Sequence, residues 1–139
     1  MIFVAAGSVA QNLAPVALGL PSFEIALAAG GMIVLVALTV ASAGIYQMKK
    51  HRTPVEPGQQ PTALVTSGVF ARSRNPLYLS LLLVLVAIAV MANALWILVA
   101  AALFGLTIDR VVIAWEERVL DRTFPDEYRD YKRRVRRWI

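Results

Sequence analysis

Two short polar clusters in this chain have side chains suited to chemistry. One is Arg74-Asn75-Pro76-Leu77-Tyr78, where a basic loop turns into an apolar run; the other is Glu116-Glu117, where that run returns to charged sequence. Between them stand mostly Leu, Val, Ile and Ala. Adjacent positions on a helix point about 100° apart, so two neighbouring carboxylates cannot both be served by one partner. Each needs water, a cation or a hydrogen-bond donor. The plain alternative is a solvated helix end with ion pairs: Glu117 stands seven residues after Arg110, and Glu116 seven after Asp109, in each case almost the same helix face. The chemical alternative is that one carboxylate receives the amine or hydroxyl groups of a cationic, polar cofactor.

The first cluster is equally two-sided. Proline fits the first turn of a helix, and the Asn before it is a good N-cap. Arg72 and Arg74 read as membrane-edge anchors, and Tyr78 as one member of an aromatic belt. The single histidine, His51, lies in a basic loop and reads as solvated. Trp96 reads as an interfacial residue, with Trp115 and Trp138 as anchors of the tail. Arg133-Arg134 and Arg136-Arg137 read as headgroup contacts, Arg134 additionally as a residue that closes a pocket.

The elements that must position these clusters follow from the segregation of charge. Of the 139 residues, 58% are hydrophobic, the mean hydropathy is +0.63, and no Lys or Arg occurs before Lys49. Basic residues gather at 49–74 and from Arg110 onward. A bilayer imposes such separation, because a charge at its centre costs several kcal/mol. Four apolar segments are expected. Residues 2–20, broken by Gln11, Asn12 and Pro15, form an imperfect first helix that spans or lies partly in the interface. They lack a basic n-region and are not read as a cleaved signal peptide. Residues 24–47 form the best span, with small residues Gly30, Gly31, Ala37, Ser42 and Gly44 for close helix packing. Residues 76–92 and 94–114 form a helical hairpin turning near Asn93. The second arm reaches full bilayer thickness only by continuing through Asp109 and Arg110, which must then sit at the interface or face a polar cavity.

The chain is therefore expected to be an all-α integral membrane protein of about four membrane-embedded helices in one domain: helices at 1–47, a loop at 48–75, the hairpin at 76–114 and an amphipathic tail at 115–139. Leu120, Phe124, Tyr128, Tyr131 and Val135 give the tail a helical stripe that Pro125 divides in two. Loop and tail share one side, and their positive charge makes that side cytoplasmic in a multi-pass inner or plasma membrane protein. The net charge of +5 serves topology and headgroups, not nucleic acid, since no phosphate loop or aromatic-basic interleaving accompanies it. No metal-ligand cluster is present, and the absence of cysteine excludes thiolate chemistry.

Taken in order, the motifs are more specific. Leu64-Val65-Thr66-Ser67-Gly68-Val69-Phe70, Arg74-Asn75-Pro76-Leu77-Tyr78, a hairpin, Glu116-Glu117, Phe124-Pro125-Asp126-Glu127-Tyr128-Arg129-Asp130-Tyr131 and Arg134-Val135 follow one another. This series closely resembles the isoprenylcysteine carboxyl methyltransferase family and its phospholipid methyltransferase relatives, over about residues 53–139. The resemblance implies an integral membrane methyltransferase that uses S-adenosyl-L-methionine, bound at the cytosolic face, and a lipid or lipophilic small-molecule acceptor. Carried over by position, Ala63, Leu64, Val65 and Phe70 would line the cofactor. Asn75 and Tyr78 would meet it at the start of the hairpin, Glu116 or Glu117 would bind its polar groups, and Arg110 would lie toward the substrate. Asn75 stands where the carboxyl methyltransferases carry His, Phe70 replaces Tyr and Pro125 replaces Gly.

Methyl transfer from a sulfonium is an in-line displacement that rests on positioning and desolvation, so the lack of an evident general base fits it. Two other readings stay open: an NADPH-dependent membrane reductase of sterol-reductase type, and a non-catalytic membrane scaffold.

Overall fold

A computed structural model describes residues 2–56 and 58–139. Among them the chain is helical, with no strand. α1 spans Ile2–Leu13, α2 Phe23–Lys50, α3 Pro76–Met91, α4 Leu95–Thr107, α5 Ala114–Thr123 and α6 Pro125–Arg134. A 3₁₀ turn occupies Gly68–Ala71, and a π-helical turn, Ile108–Ile113, joins α4 to α5 without a break. Leu95–Thr123 is thus one rod of 29 residues; it and the 28-residue α2 are long and apolar enough to cross a bilayer. α1 rises only about 18 Å as a helix, short of a hydrocarbon core of about 30 Å.

Small residues set the packing. On α2, Gly30, Ala37 and Gly44 recur every seventh residue and are buried, which puts them on one face about 20° per step out of register. A Cβ on Gly30 would run into the Met91 side chain and lie 3.1 Å from the Ala87 carbonyl; one on Gly44 would meet Leu77 at 2.9 Å. α2 and α3 therefore run antiparallel with their backbones close. Gly31, the neighbour of Gly30, faces open space, and Ser42 is exposed, so the seam uses Gly30, Ala37 and Gly44 out of the five expected. On the far side of the hairpin, Gly7 of α1 packs against Ala100 and the Trp96 carbonyl, and Phe3 meets Phe104 edge-on at 6.0 Å. The lateral order is accordingly α2, α3, α4, α1.

The hairpin turns where expected. Asn93 adopts φ +48°, a left-handed conformation Asn tolerates, and its side chain accepts the Leu18 amide at 2.9 Å. The strap after α1 is fixed there too: the Leu95 amide donates to the Val16 carbonyl and the Trp96 indole to that of Ala14. Trp96 is thus committed to the strap.

The second arm departs from expectation. It does not end at residue 114 but continues as helix to Thr123, because Trp115–Thr123 contains no helix breaker and the next stop is Phe124, whose backbone leaves the helical region (φ −134°, ψ 62°) ahead of Pro125. The first element of the tail is therefore the end of the long rod. Apolar side chains such as Met32, Leu35, Leu103, Leu106 and Val111 stay more than half exposed along the rods, which water would not tolerate and lipid does.

The seam gives a matched test. Gly30→Leu should lower the thermal midpoint in detergent by several degrees, equivalent to about 1–3 kcal/mol of overpacking. Gly31→Leu, one position along, should leave it within error.

Candidate functional site

At the end of the bundle where loop 51–75, α5 and α6 meet, a cleft of ≈ 200 Å³ opens. Ala63, Leu64, Val65 and Phe70 line it from the loop, Asn75 and Tyr78 from the start of α3, and Glu116 and Glu117 from α5. All eight residues that the sequence singled out for a cofactor are thus gathered around one space, from segments more than 50 residues apart. Arg110 is not among them: its side chain is 80% exposed, and its ion pair among the described residues is with Asp109, at 3.5 Å.

The loop is shaped by its own chemistry. Gly68 sits at φ +62°, and a Cβ there would collide with the Gln47 side chain, so the turn that buries Phe70 needs glycine at that point. The Phe70 carbonyl accepts the Tyr131 hydroxyl at 2.6 Å. Tyr128, Tyr131 and Val135 form a buried cluster with Leu64, Leu120 and Phe124, so the helical stripe read from the tail does anchor it under the loop. Burial pushes the Tyr128 phenol up to about 12, helped by the Glu117 charge. Burial also raises that of Tyr131, with Tyr128 beside it.

Several sequence assignments change here. Asn75 does not cap α3 with its side chain; its amide donates instead to the Arg137 carbonyl at 3.0 Å, while the Arg74 amide donates to the Arg136 carbonyl at 3.0 Å. The C-terminal segment is thereby strapped across the loop. Arg74 is no membrane-edge anchor. Its side chain is 12% exposed, 2.8 Å from Glu117 and 3.1 Å from the Tyr128 hydroxyl, to which it donates. Arg137 is no headgroup contact either. It grips both Glu117 oxygens, at 3.1 and 2.5 Å, and both Asp109 oxygens, at 3.1 Å each. The Glu117 hydrogen bond, then those of Asp109, hold the Arg137 guanidinium above even the usual arginine range. Trp138 donates to Asp109 at 2.9 Å. Arg134 is exposed and bonds the Asp130 carbonyl; the arginine that lines the cleft is Arg74.

The pairing differs from the sequence reading by one residue, and the π turn is the reason. In a regular α-helix Asp109 and Glu117, eight apart, would differ by about 80°; seven apart, Asp109 and Glu116 by about 20°. A π turn absorbs one extra residue, which takes back about 100° and brings Asp109 under Glu117. Nothing in the sequence marks Ile108–Ile113 as a π turn, so Arg137 and Asp109 were beyond reach as partners.

The two glutamates therefore end in unlike environments. Glu117 belongs to a neutral quartet of two arginines and two carboxylates. Glu116 accepts one hydrogen bond, from the Tyr78 hydroxyl at 2.7 Å, and among the described residues no cation pairs with it. The Arg74 Nε is buried without a partner. Glu56 also lines the cleft but is exposed on the loop and bonded by the Gln59 amide. Glu116 is the half-buried carboxylate without a cation amid mostly apolar walls, which suits a ligand carrying positive charge and an apolar or aromatic body. Among the described residues there is no cluster of metal-ligating side chains.

Comparison with known proteins assigns a family. Residues 25–127 match the phospholipid methyltransferase family. This chain belongs to that family. Membership in this family accounts for the apolar rods and makes the chain a membrane-associated, methyltransferase-type enzyme. A 65-residue uncharacterized protein of Haemophilus influenzae (strain ATCC 51907 / DSM 11121 / KW20 / Rd) is 46% identical over its whole length, which is 45% of this chain. No solved structure matches.

Two outcomes follow for this family member. Glu117→Gln leaves Arg74 and Arg137 facing a neutral group and should cost about 2 kcal/mol in thermal unfolding, below the cost of breaking a fully buried pair because the quartet is partly wetted. For Tyr128 the unfolded phenol titrates near pH 10 and the folded one near 12. Its contribution is therefore whole below pH 10 and is lost as pH rises through 12. Tyr128→Phe should flatten part of the stability decline across that alkaline window.

Proposed function

We propose that this protein transfers a methyl group from S-adenosyl-L-methionine to a lipophilic, membrane-resident acceptor. The observation that supports the reading most directly is Glu116, a half-buried carboxylate without a cation beside a Glu117 that arginines neutralise. Glu116 meets a positively charged portion of the methyl donor, and Tyr78 orients that carboxylate. Ala63, Leu64, Val65 and Phe70 supply the apolar wall, and Asn75, held by its bond to the Arg137 carbonyl, sets the position of the α3 start. Glu117 is held by arginines and serves the frame. This divides the labour between the two glutamates, which the sequence left open.

The chemistry the donor supplies is a methyl on a sulfonium. A lone pair of the acceptor attacks the methyl carbon as the carbon–sulfur bond breaks, and the bonding electrons stay with sulfur as a neutral thioether. Such a displacement asks the chain to align and to exclude water, not to move a proton. An apolar groove between α2 and α3, lined by Ala37, Ala41, Ile45, Ser80 and Leu81, shares Val55 and Leu77 with the cleft. It supports lateral approach of an acceptor from the lipid. We take the chain as one multi-pass methyltransferase unit with loop 48–75 and the tail at the cytoplasmic face, where a soluble donor arrives.

Detergent-solubilised protein should be stabilised against heat by S-adenosylhomocysteine and not by NADPH, and methyl label should pass from S-adenosyl-L-methionine into a membrane lipid extract. Glu116→Gln should weaken S-adenosylhomocysteine binding about tenfold, as expected for loss of a charge-assisted contact, with helical content intact. Protection by NADPH alone would overturn the donor class; unchanged affinity in Glu116→Gln would overturn the role of Glu116.

A further inference from the structure

We infer that Arg137, a residue outside the cleft, is a positioning residue for donor binding, acting through the π turn and the C-terminal strap. The inference rests on the methyl-donor reading of the cleft. Neither Arg137 nor Asp109 lines that cleft, yet both are tied to what does. Through its side chain Arg137 holds Glu117, the neighbour of Glu116, and Asp109, two helical turns back on the same rod. Through its carbonyl it accepts from the Asn75 side chain and from the Ser73 hydroxyl, at 3.0 and 3.4 Å. One residue thus spans the two walls between which a ligand would sit: the rod that carries Glu116 and the loop that carries Asn75.

The geometry of the grip matters as much as its charge. A guanidinium fork can serve two carboxylates at once, each through paired hydrogen bonds. Its arms reach Asp109 and Glu117 together because the π turn has rotated them onto one face. With the fork in place, Glu117 is turned to the frame and Glu116, about 100° around the helix, is turned to the cleft. A lysine carries the same charge but presents one point of contact, so it cannot fix both carboxylates. Asp109 approaches the same clamp from the other end and offers an independent handle.

The test is non-additivity in S-adenosylhomocysteine affinity, measured calorimetrically on the full chain in detergent. In the native background Glu116→Gln costs about tenfold. With Arg137→Lys, which retains charge and bulk, the donor site should bind several-fold more weakly, and the added loss from Glu116→Gln should shrink below twofold. Asp109→Asn should reduce the Glu116 contribution in the same direction. A merely structural role would lower the melting temperature and leave the tenfold contribution of Glu116 standing; that additive result overturns the inference while the donor reading survives. Failure of the native protein to bind S-adenosylhomocysteine at all sinks the donor reading and this inference with it.

Discussion

The grip of Arg137 on Glu117 and Asp109, with Arg74 closing the quartet, is the interaction on which the polar end of this protein depends. Two arginines and two carboxylates lie at the rim of a hydrophobic bundle, where an unpaired charge would be expensive. Each of the four comes from a different part of the chain: the loop before α3, the π turn, α5 and the C-terminal strap. Satisfying them together fixes the loop against the rod and the strap against both. Mutual neutralisation also offsets their field, so the half-buried charge left facing the cleft is that of Glu116, with Glu56 exposed on the loop.

The apolar end is governed by a different constraint. Lipid offers helices no hydrophobic incentive to associate, so close packing must come from shape. Gly30, Ala37 and Gly44 on α2, and Gly7 on α1, provide it by letting backbones approach neighbouring side chains that a Cβ would obstruct. The hairpin tip is held by polar bonds of the strap after α1 to Asn93, Leu95 and Trp96. The bundle is thus tied at both ends by hydrogen bonds and closed in the middle by small residues. The first arm of the hairpin, about 24 Å long as a helix, brings Tyr78 down to the depth of Glu116, and a longer arm would carry it past.

Much of this was legible in the sequence because the bilayer writes a coarse signal. The hairpin, its turn at Asn93, the seam residues of α2 and the stripe from Leu120 to Val135 follow from hydropathy and helical period. So does the meeting of loop and tail at one end, and the eight residues assigned to a cofactor line one cleft. Illegible were features fixed by registry. A π turn leaves no mark in composition, and it moved the partner of Asp109 from Glu116 to Glu117. The surface reading of Arg74 and Arg137 failed for the related reason that a charged residue near an apolar span looks the same whether it faces headgroups or a buried carboxylate. Arg110 shows the converse: adjacent to Asp109 in sequence, it is turned outward while Asp109 is turned in.

Under the proposed methyl-donor reading, the division between Glu116 and Glu117 suits a site with so little catalytic equipment to methyl transfer. A displacement at a sulfonium disperses charge as it proceeds, so strong stabilisation of the cationic ground state would slow it. A carboxylate already engaged by a tyrosine hydroxyl, as Glu116 is by Tyr78, offers a tempered attraction, whereas two bare adjacent carboxylates would bind the cation more tightly than its transition state. Committing Glu117 to arginines removes that second charge from the cleft without removing it from the fold. Under the same reading the quartet limits ground-state binding and sets geometry through the same contacts, and the burden of rate falls on how the rod and the loop are held apart.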